Sequence, residues 1–321
     1  MHKTRVAVVR GGPSAEYEIS LQTGGVVLQN LPESYQGVDI LIDRSGGWYR
    51  GGEKVLPYQA LVNTDIVFNA LHGEYGEDGK IQRDLEGLGL PYTGANVIGA
   101  ALSMNKVLAK ECLKNSGIKT PRGVELGISD DISERLFAIF EKFPLPAVVK
   151  PASSGSSLGV TFAQSFDDIE RGVRKAFLYS PRVLVEEYIH GTEGTVGIIE
   201  NFRDEALYTL APIEIIPTES PIFDYDGKYK GRAMQFSPSR FLKSDNARVE
   251  ATAKAVHRAL GLRHYSRTDL IITPEGQIYV LEVNALPALA PESSFDRSLK
   301  TGNIELKEFI DHVLSLALER D

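Results

Sequence analysis

The sequence is poor in the features that mark secreted, membrane-bound and nucleic-acid-binding proteins. It contains one cysteine, Cys112, among 321 residues, so no intrachain disulfide can form, which fits a reducing compartment. No apolar run approaches the roughly 20 residues that a membrane helix needs. The short apolar run near the N-terminus, RVAVV, is typical of a strand and not of an export signal. We therefore expect a cytoplasmic protein with no membrane partner.

Basic residues are also in deficit. The chain has 35 Lys and Arg against 43 Asp and Glu, a net charge of −8 at pH 7. Nucleic-acid binders usually carry a basic excess, so we expect no nucleic-acid partner, although a local basic pocket for a nucleotide remains compatible with this charge. The content of 42% hydrophobic and 24% charged residues is that of a soluble globular protein. The length predicts two or three domains.

The first hundred residues alternate strand and helix patterns. Apolar runs predict strands at 5–9, 38–42 and 65–71, and leucines at helical spacing predict a helix from about 20 to 31. Strands that alternate with helices indicate a parallel, doubly wound sheet. The predicted fold class is therefore α/β (α+β overall), beginning with a doubly wound domain.

The rest of the chain is a mixture of strands, helices and one long irregular stretch. Asn105 is a plausible N-cap for a helix over 106–115. Residues 217–240 are polar and rich in turn formers, and loops of this length are usually functional or disordered. The other predicted elements are strands at 143–151, 160–163, 182–189, 195–199 and 206–216, and helices at 166–179, 246–260 and 304–318.

Residues 267–284, RTDLIITPEGQIYVLEVN, predict a hairpin with a Pro-Glu-Gly turn. Glu282 and Asn284 lie two apart, so their side chains leave the same face, and the hairpin can bring Asp269 to them. Oxygen ligands are what Mg²⁺ prefers, together with substrate phosphates. Arg267, two residues before Asp269, would reach a phosphate or a developing negative charge. A hairpin with a few solvated polar residues is the alternative.

Two further segments have the composition of a nucleotide site. The loop KPASSGSSLG begins with Lys150, and its Gly and Ser residues suit an anion cradle, although a simple turn is the alternative. It is not a Walker loop, because the lysine precedes the glycines. In VEEYIHGTEGTVG, backbone groups between Glu186 and Glu193 could read an adenine edge, and Glu193 could take ribose hydroxyls. A solvated strand exit is the alternative there.

Four segments follow one another along the chain: GGPSAEYEIS (11–20), LHGEYGEDGKIQ (71–82), KPASSGSSLG (150–159) and RTDLII…LEVNALP (267–287). This order and spacing resemble the ATP-grasp superfamily and, within it, the D-alanine–D-alanine ligases. The resemblance covers essentially the whole chain. The first two segments are specific to the ligase group, and the last two are shared more widely among ATP-grasp enzymes.

The resemblance implies three domains: a Rossmann-like domain (1–102), a central ATP-grasp subdomain (103–190) and a C-terminal one (191–321) with a mobile loop at 217–240. ATP would lie between two antiparallel sheets. The implied activity is ATP-dependent ligation of two D-alanines, through D-alanyl phosphate, for peptidoglycan synthesis. The implied substrates are ATP and D-alanine, the metal is Mg²⁺ (or Mn²⁺), and the protein is expected to be a homodimer.

By the same resemblance, Glu16 would anchor the ammonium of the first D-alanine, and His72 would lie near its carboxylate. Arg267 and the Ala288 N–H would form the oxyanion site. Ser156 would hydrogen-bond with Glu16 and with Tyr229 of the mobile loop. The residues expected to meet the second substrate are Ser293 and Ser294. Those expected on ATP are Lys106, Lys150, Ser157, Glu186, Glu193 and Lys228. The expected metal ligands are Asp269, Glu282 and Asn284.

The stretch after the metal ligands departs from the family pattern. Ala285 and Ala290 replace threonines, Ala288 replaces a glycine, and Ser294 stands where leucine is common. These changes leave the second substrate open between D-alanine, D-serine, D-lactate and another amino acid. Tyr229 favours an amine nucleophile, because relatives that form the D-lactate ester often have histidine there. An inactive nucleotide-binding relative is the third alternative.

Overall fold

The computed structural model describes residues 3–142, 144–153, 155, 157–218, 222 and 233–319. Three predicted site residues, Ser156, Lys228 and Tyr229, lie outside the described residues, as does most of the predicted loop at 217–240. Within the described residues, no helix is both long and apolar enough to cross a membrane.

The first sheet has the order β4-β3-β2-β1-β5. β1 pairs with β2 and β5 in parallel, as predicted, while β3 and β4 extend the edge as an antiparallel hairpin that the sequence did not predict. The elements are β1 (Thr4–Gly11), α1 (Tyr17–Asn30), β2 (Tyr35–Ile42), β3 (Trp48–Arg50), β4 (Glu53–Val55), α2 (Pro57–Ala60), β5 (Ile66–Asn69), α3 (Lys80–Gly87), α4 (Val97–Met104) and α5 (Lys106–Asn115).

The second sheet is antiparallel throughout, in the order β6-β9-β7-β8. Its apolar face forms a core of its own, in which Val149 and Val185 of the sheet pack with Val173 of a covering helix. The elements are β6 (Gly123–Gly127), α6 (Ile132–Lys142), β7 (Ala147–Pro151), β8 (Thr161–Ala163), α7 (Phe166–Ala176) and β9 (Arg182–Glu187).

The third sheet is also antiparallel, in the order β13-β12-β10-β14-β15, and β11 pairs with β10. The predicted strand at 206–216 is in fact two strands, because Pro212 between them has no N–H to donate. The elements are β10 (Thr192–Phe202), β11 (Glu205–Thr209), β12 (Ile213–Pro217), β13 (Ala233–Phe236), α8 (Lys243–Ala259), β14 (Tyr265–Ile272), β15 (Ile278–Asn284), α9 (Ser294–Thr301) and α10 (Leu306–Leu318).

The first and third sheets share a buried core, whereas the second sheet does not join it. Phe68 of β5 belongs to the same cluster as Tyr265 of β14 and Phe309 of α10. Leu113 of α5 packs with Val256 of α8 in a neighbouring cluster. The second sheet is thus a separately packed layer facing the third sheet, and the gap between the two positions the site. The exact domain limits stay a prediction.

Candidate active site

The predicted hairpin is present, and its register brings the polar side chains together. Asp269 lies opposite Glu282, and Arg267 lies opposite Asn284, so all four side chains share one face. The Arg267 guanidinium donates to both oxygens of Asp269, each at 2.9 Å. Thr195 of β10 adds a 2.5 Å hydrogen bond to Asp269 Oδ1. Asp269 is buried, and this bidentate pair balances its charge.

Lys106 brings a positive charge to the same face. Its Nζ lies 3.7 Å from Glu282 Oε2. The helix that carries it begins as predicted, because Asn105 Oδ1 accepts the N–H groups of Val107 and Leu108 at 3.1 and 3.2 Å. The Lys106 N–H donates to the Ala152 carbonyl at 2.9 Å, which ties the start of α5 to the end of β7.

Two cavities meet at the hairpin. The inter-sheet cavity, of about 350 Å³, lies between the second and third sheets. The hairpin cavity, of about 460 Å³, lies between the hairpin, the start of α1 and the segment 288–294. Asp269 and Glu282 line both cavities. A ligand bound in one cavity would therefore meet a ligand bound in the other beside these two carboxylates.

The inter-sheet cavity contains a buried carboxylate between two ammonium groups. Glu186 of β9 is 2% exposed, and its two oxygens pair with Lys110 and Lys150. Lys110 Nζ also donates to the Pro121 carbonyl, at 2.5 Å. Burial lowers the pKa of the Lys110 ammonium, and Lys150 lowers it further, while Glu186 opposes both. Glu186 is thus paired with two ammonium groups, of which the Lys150 ammonium lies at the wall of the cavity.

The hairpin cavity places Glu16 and His72 side by side. Ser14 Oγ accepts the Glu16 N–H at 3.1 Å and donates to the His72 carbonyl at 2.5 Å, so one hydroxyl holds both segments. A Cβ at Gly155 would overlap Glu16 Oε2, so a side chain there would displace the Glu16 carboxylate. The Glu16 carboxylate thus lies against the loop that follows β7.

The segment 288–294 forms the opposite wall of the hairpin cavity. Ala288 is not among the residues with positive φ, so its methyl group causes no backbone strain where the family has glycine. The Ala288 N–H donates to no other residue in the described part of the chain. Ser293 Oγ donates to the Ala288 carbonyl at 2.7 Å and caps α9. Ser294 Oγ donates to Gln235 Oε1 of β13 at 3.0 Å.

Comparisons with known proteins decide the family. The family model described as D-ala D-ala ligase C-terminus matches residues 112–315, and the one described as D-ala D-ala ligase N-terminus matches residues 54–95. The chain belongs to the D-alanine–D-alanine ligase family. It is 36% identical to a D-alanine–D-alanine ligase of Geotalea uraniireducens, over 98% of this chain and 95% of that protein. It is 37% identical to a D-alanine–D-alanine ligase of Geobacter sulfurreducens, over 97% of this chain and 93% of that protein.

Solved structures of D-alanine–D-alanine ligases and related ligases share the fold. The D-alanine–D-alanine ligase of Bacillus anthracis superposes with a TM-score of 0.84 at 31% identity, covering 98% of this chain and 97% of that one. The VanG D-Ala:D-Ser ligase of Enterococcus faecalis superposes with a TM-score of 0.86 at 28% identity, covering 98% of this chain and 100% of that one. The predicted α/β ATP-grasp fold is confirmed.

In this member of the D-alanine–D-alanine ligase family, every described residue that the sequence predicted for the site lines at least one of the two cavities. Those in the inter-sheet cavity are Lys150, Ser157, Glu186, Glu193, Asp269 and Glu282. Those in the hairpin cavity are Glu16, His72, Lys106, Arg267, Asp269, Glu282, Asn284, Ala288, Ser293 and Ser294. Their individual roles stay predictions.

The donor set on the hairpin fits a hard cation. Asp269, Glu282 and Asn284 present two carboxylates and an amide oxygen on one face. Among the described residues, no three His, Cys, Asp or Glu side chains lie close enough to hold a metal by themselves. Mg²⁺ does not need such a cage, because it commonly takes one or two carboxylates and completes its octahedron with water and phosphate oxygens.

Sequence reasoning missed three polar residues that the fold brings to the site. Lys110 was detectable, because it follows Lys106 by four residues on a predicted helix and therefore lies on the same face. Gln235 falls in the stretch that the sequence left irregular, and Thr23 contacts partners 49 and 266 positions away. Sequence spacing gives no signal for such contacts.

Lys110 yields the first testable prediction. Lys110→Met keeps the length of the side chain but leaves Glu186 with Lys150 alone, so Lys150 would be drawn more strongly to Glu186 and away from a bound anion. We expect the KM for ATP to rise about 10-fold, a cost on the order of 1.4 kcal/mol. Lys114→Met, at an exposed position of the same helix, is the matched control. Equal KM values for both variants would remove Lys110 from the nucleotide site.

Proposed function

We propose that the chain is an ATP-dependent D-alanine–D-alanine ligase that forms the peptidoglycan precursor dipeptide through D-alanyl phosphate. One observation carries the proposal: Asp269 and Glu282 line both cavities. A kinase-like transfer to a carboxylate needs the γ-phosphate and the acceptor to meet at one point. The hairpin provides that point, with the nucleotide on one side and the amino acids on the other.

ATP would occupy the inter-sheet cavity. Ile215 and Ile271 of the third sheet face Val148 of the second sheet across this space, which suits a flat adenine ring. Glu193 lies in the same cavity for the ribose hydroxyls. Lys150 and Lys106 would bind the ATP phosphates where the triphosphate reaches the hairpin, because Lys106 lies against Glu282.

Asp269, Glu282 and Asn284 would hold Mg²⁺ or Mn²⁺. When bound, the cation would neutralise charge on the ATP phosphates and orient them for transfer. The bidentate contact from Arg267 fixes the Asp269 carboxylate in the plane of the guanidinium and so sets its orientation at the point where the two cavities meet.

Different side chains of the hairpin cavity would bind the first D-alanine and stabilise its reaction with the second. Glu16 would bind the ammonium of the first D-alanine, and His72 would lie at its carboxylate, which attacks the γ-phosphorus. A carboxylate is a poor electrophile, and phosphorylation turns one of its oxygens into part of a good leaving group. The amine of the second D-alanine then attacks the carbonyl carbon. Arg267 and the Ala288 N–H would stabilise the oxyanion that develops.

A second candidate, ligation of D-alanine to D-serine, rests on the contact between Ser294 and Gln235. A leucine at position 294 would give an apolar wall, whereas this pair places a hydroxyl and an amide NH₂ at the cavity. A D-serine hydroxyl could form a hydrogen bond with this pair. A buried hydroxyl that is hydrogen-bonded binds more favourably than one left without a hydrogen bond.

Ser294→Leu tests this pair and gives the second prediction. We expect the variant to lower kcat/KM for D-serine as second substrate relative to D-alanine by about 5- to 10-fold, because one hydrogen bond of about 1 kcal/mol is lost. Ser133→Leu, at an exposed position of α6, is the control. The ratio is measured by competition between the two amino acids with mass detection of the products, and an unchanged ratio would exclude a role for Ser294 in selectivity.

Three domains, a cytoplasmic location and a homodimer belong to the same proposal through the family resemblance. The separately packed core of the second sheet supports a distinct central subdomain. Sedimentation of the purified chain at micromolar concentration measures the oligomeric state, and a monomer would contradict the homodimer.

The experiment that tests the proposed function is phosphate release from the purified protein with Mg-ATP. D-alanine is added alone, then with D-serine, then with D-lactate, and the products are identified by mass. We expect release with D-alanine alone, accompanied by D-alanyl-D-alanine. Release only with a mixed pair would assign a different second substrate, and no release with any pair would reject ligase activity on these substrates.

A further inference from the structure

Thr23 is a buried polar residue with no role in the proposed binding of ATP, metal or D-alanine. It lies in α1, the helix that begins directly after Glu16, and it is 2% exposed. Its Oγ1 lies 2.8 Å from His72 Nε2 and accepts the Leu289 N–H at 3.3 Å. Leu289 follows Ala288 in the chain. One hydroxyl therefore joins the helix of Glu16, the loop of His72 and the segment of Ala288.

The hydrogen-bond count assigns the direction of the contact with His72. A threonine hydroxyl has one proton and two lone pairs, and the Leu289 N–H uses one lone pair. Within the described residues, the hydrogen-bond partners of this hydroxyl are Leu289 and His72, and Thr23 is buried. A hydroxyl proton without an acceptor would be costly at such burial. We therefore assign the hydroxyl as the donor to His72 Nε2, which makes Nε2 the acceptor.

The other ring nitrogen of His72 leads to the same assignment. His72 Nδ1 lies 3.6 Å from Glu77 Oε1, an oxygen that also accepts the Gly73 N–H at 2.9 Å. A proton on Nδ1 points a positive edge at this carboxylate, whereas a bare Nδ1 would point a lone pair at it. The contacts on both sides of the ring thus favour the tautomer with its proton on Nδ1.

We propose that Thr23 is a positioning residue of the first-substrate site: it holds His72 as the Nδ1–H tautomer and couples it to the Ala288–Leu289 backbone. The imidazole and the Ala288 N–H are then held by a single hydroxyl on the helix that carries Glu16. Loss of that hydroxyl frees the ring to turn and releases the Leu289 N–H, so groups on opposite walls of the hairpin cavity lose their common anchor. The catalytic part of this proposal rests on the proposed function.

The test compares Thr23→Val, which keeps the shape and removes the hydroxyl, with Thr23→Ser, which keeps the hydroxyl. We expect T23V to lower kcat/KM for the first D-alanine by about 10- to 100-fold while the KM for ATP stays within about twofold. T23S should restore kcat/KM to within about threefold of the original. Thr252→Val, a helical threonine whose hydroxyl donates to the Arg248 carbonyl, is the control that should change nothing.

A readout without catalysis separates this proposal from the ligase activity. Spectra of the ¹⁵N-histidine-labelled protein, with His72 assigned by His72→Gln, report which ring nitrogen carries the proton. The expected result is an Nδ1–H signal for His72 in the original protein and in T23S, and a changed His72 signal in T23V. An Nε2–H signal in the original protein would overturn the proposal. So would a T23S variant as impaired as T23V, because a hydroxyl at this position would then not be sufficient to hold His72. A protein that makes no dipeptide yet shows the Nδ1–H signal would reject the ligase function and leave the Thr23 arrangement supported.

Discussion

The Glu282→Gln variant is expected to release phosphate from Mg-ATP and D-alanine about 1,000-fold more slowly than the original protein, a loss of about 4 kcal/mol in the barrier. Glutamine keeps the shape of the side chain but removes a charge that faces Asp269 across the hairpin. The proposed cation would lose one of two anionic ligands, and the 3.7 Å ion pair between Lys106 and Glu282 would be lost. Both changes act where the two cavities meet.

The fold should tolerate this change. The Glu282 side chain is 26% exposed, so the glutamine amide would still reach solvent and the change buries no new polar group. Thermal melting should therefore shift by only a few degrees. Glu205→Gln on β11, which removes an exposed carboxylate from the same sheet, is the matched control. Raised Mg²⁺ should recover part of the E282Q activity, and near-normal turnover at low Mg²⁺ would remove Glu282 from the metal site.

The second large effect concerns stability in acid and arises from His264. Burial lowers the pKa of His264 to about 4, with a further contribution from the Arg263 charge, while Glu200 opposes the shift. The structural reason is visible: His264 Nδ1 accepts the Gly94 N–H at 3.0 Å, and a proton on that nitrogen would abolish the bond. This contact also links the chain after the first sheet to the third sheet.

The sign of the effect follows from proton binding. Between about pH 4 and the ordinary histidine pKa of about 6.5, the unfolded chain binds a proton at His264 and the native protein does not. Stability therefore rises with pH over this window. The His264 contribution is fully present above about pH 6.5 and is lost as the pH falls to about 4, a change of about 3 kcal/mol in the free energy of unfolding.

His264→Asn isolates this contribution. Asparagine can still accept the Gly94 N–H, and it tolerates the left-handed backbone of this position, where φ is 64°. Urea unfolding at pH 7.0 and pH 4.5 should show a markedly smaller loss of stability in H264N than in the original protein. His190→Asn, at an exposed histidine, should behave like the original. Parallel pH dependences for all three proteins would refute the assignment.

The hairpin shows how much of the site the sequence could predict. Alternation and the Pro-Glu-Gly turn were sufficient for both strands, and the two-residue period placed Glu282 and Asn284 on one face. The irregularity between Asp269 and Leu270 was not predictable, because a bulge depends on the partner strand. The contact between Arg267 and Asp269 was also missed, since the spacing placed them on one face but did not predict that they pair.

Short helices were the main omission in the fold. α3, α4 and α9 each have eight residues, too few for a periodic apolar pattern to stand out. α9 also follows an Ala- and Pro-rich segment and begins at a serine cap, Ser293, which the sequence had suggested only as a substrate contact. Local sequence patterns could not place these residues on common cavity walls, because the walls join distant segments; the family resemblance supplied that grouping.

Phosphorylation of the carboxylate of the first D-alanine is tested most directly with D-alanine labelled by ¹⁸O in its carboxyl group. If the carboxylate attacks the γ-phosphorus and the amine then attacks the acyl carbon, one carboxyl oxygen leaves with the phosphate. Mass spectrometry of the products should therefore show one ¹⁸O in each phosphate released, alongside D-alanyl-D-alanine. Dipeptide formed together with unlabelled phosphate would contradict the acyl phosphate, and labelled D-alanine recovered unchanged beside intact ATP would contradict the ligase itself.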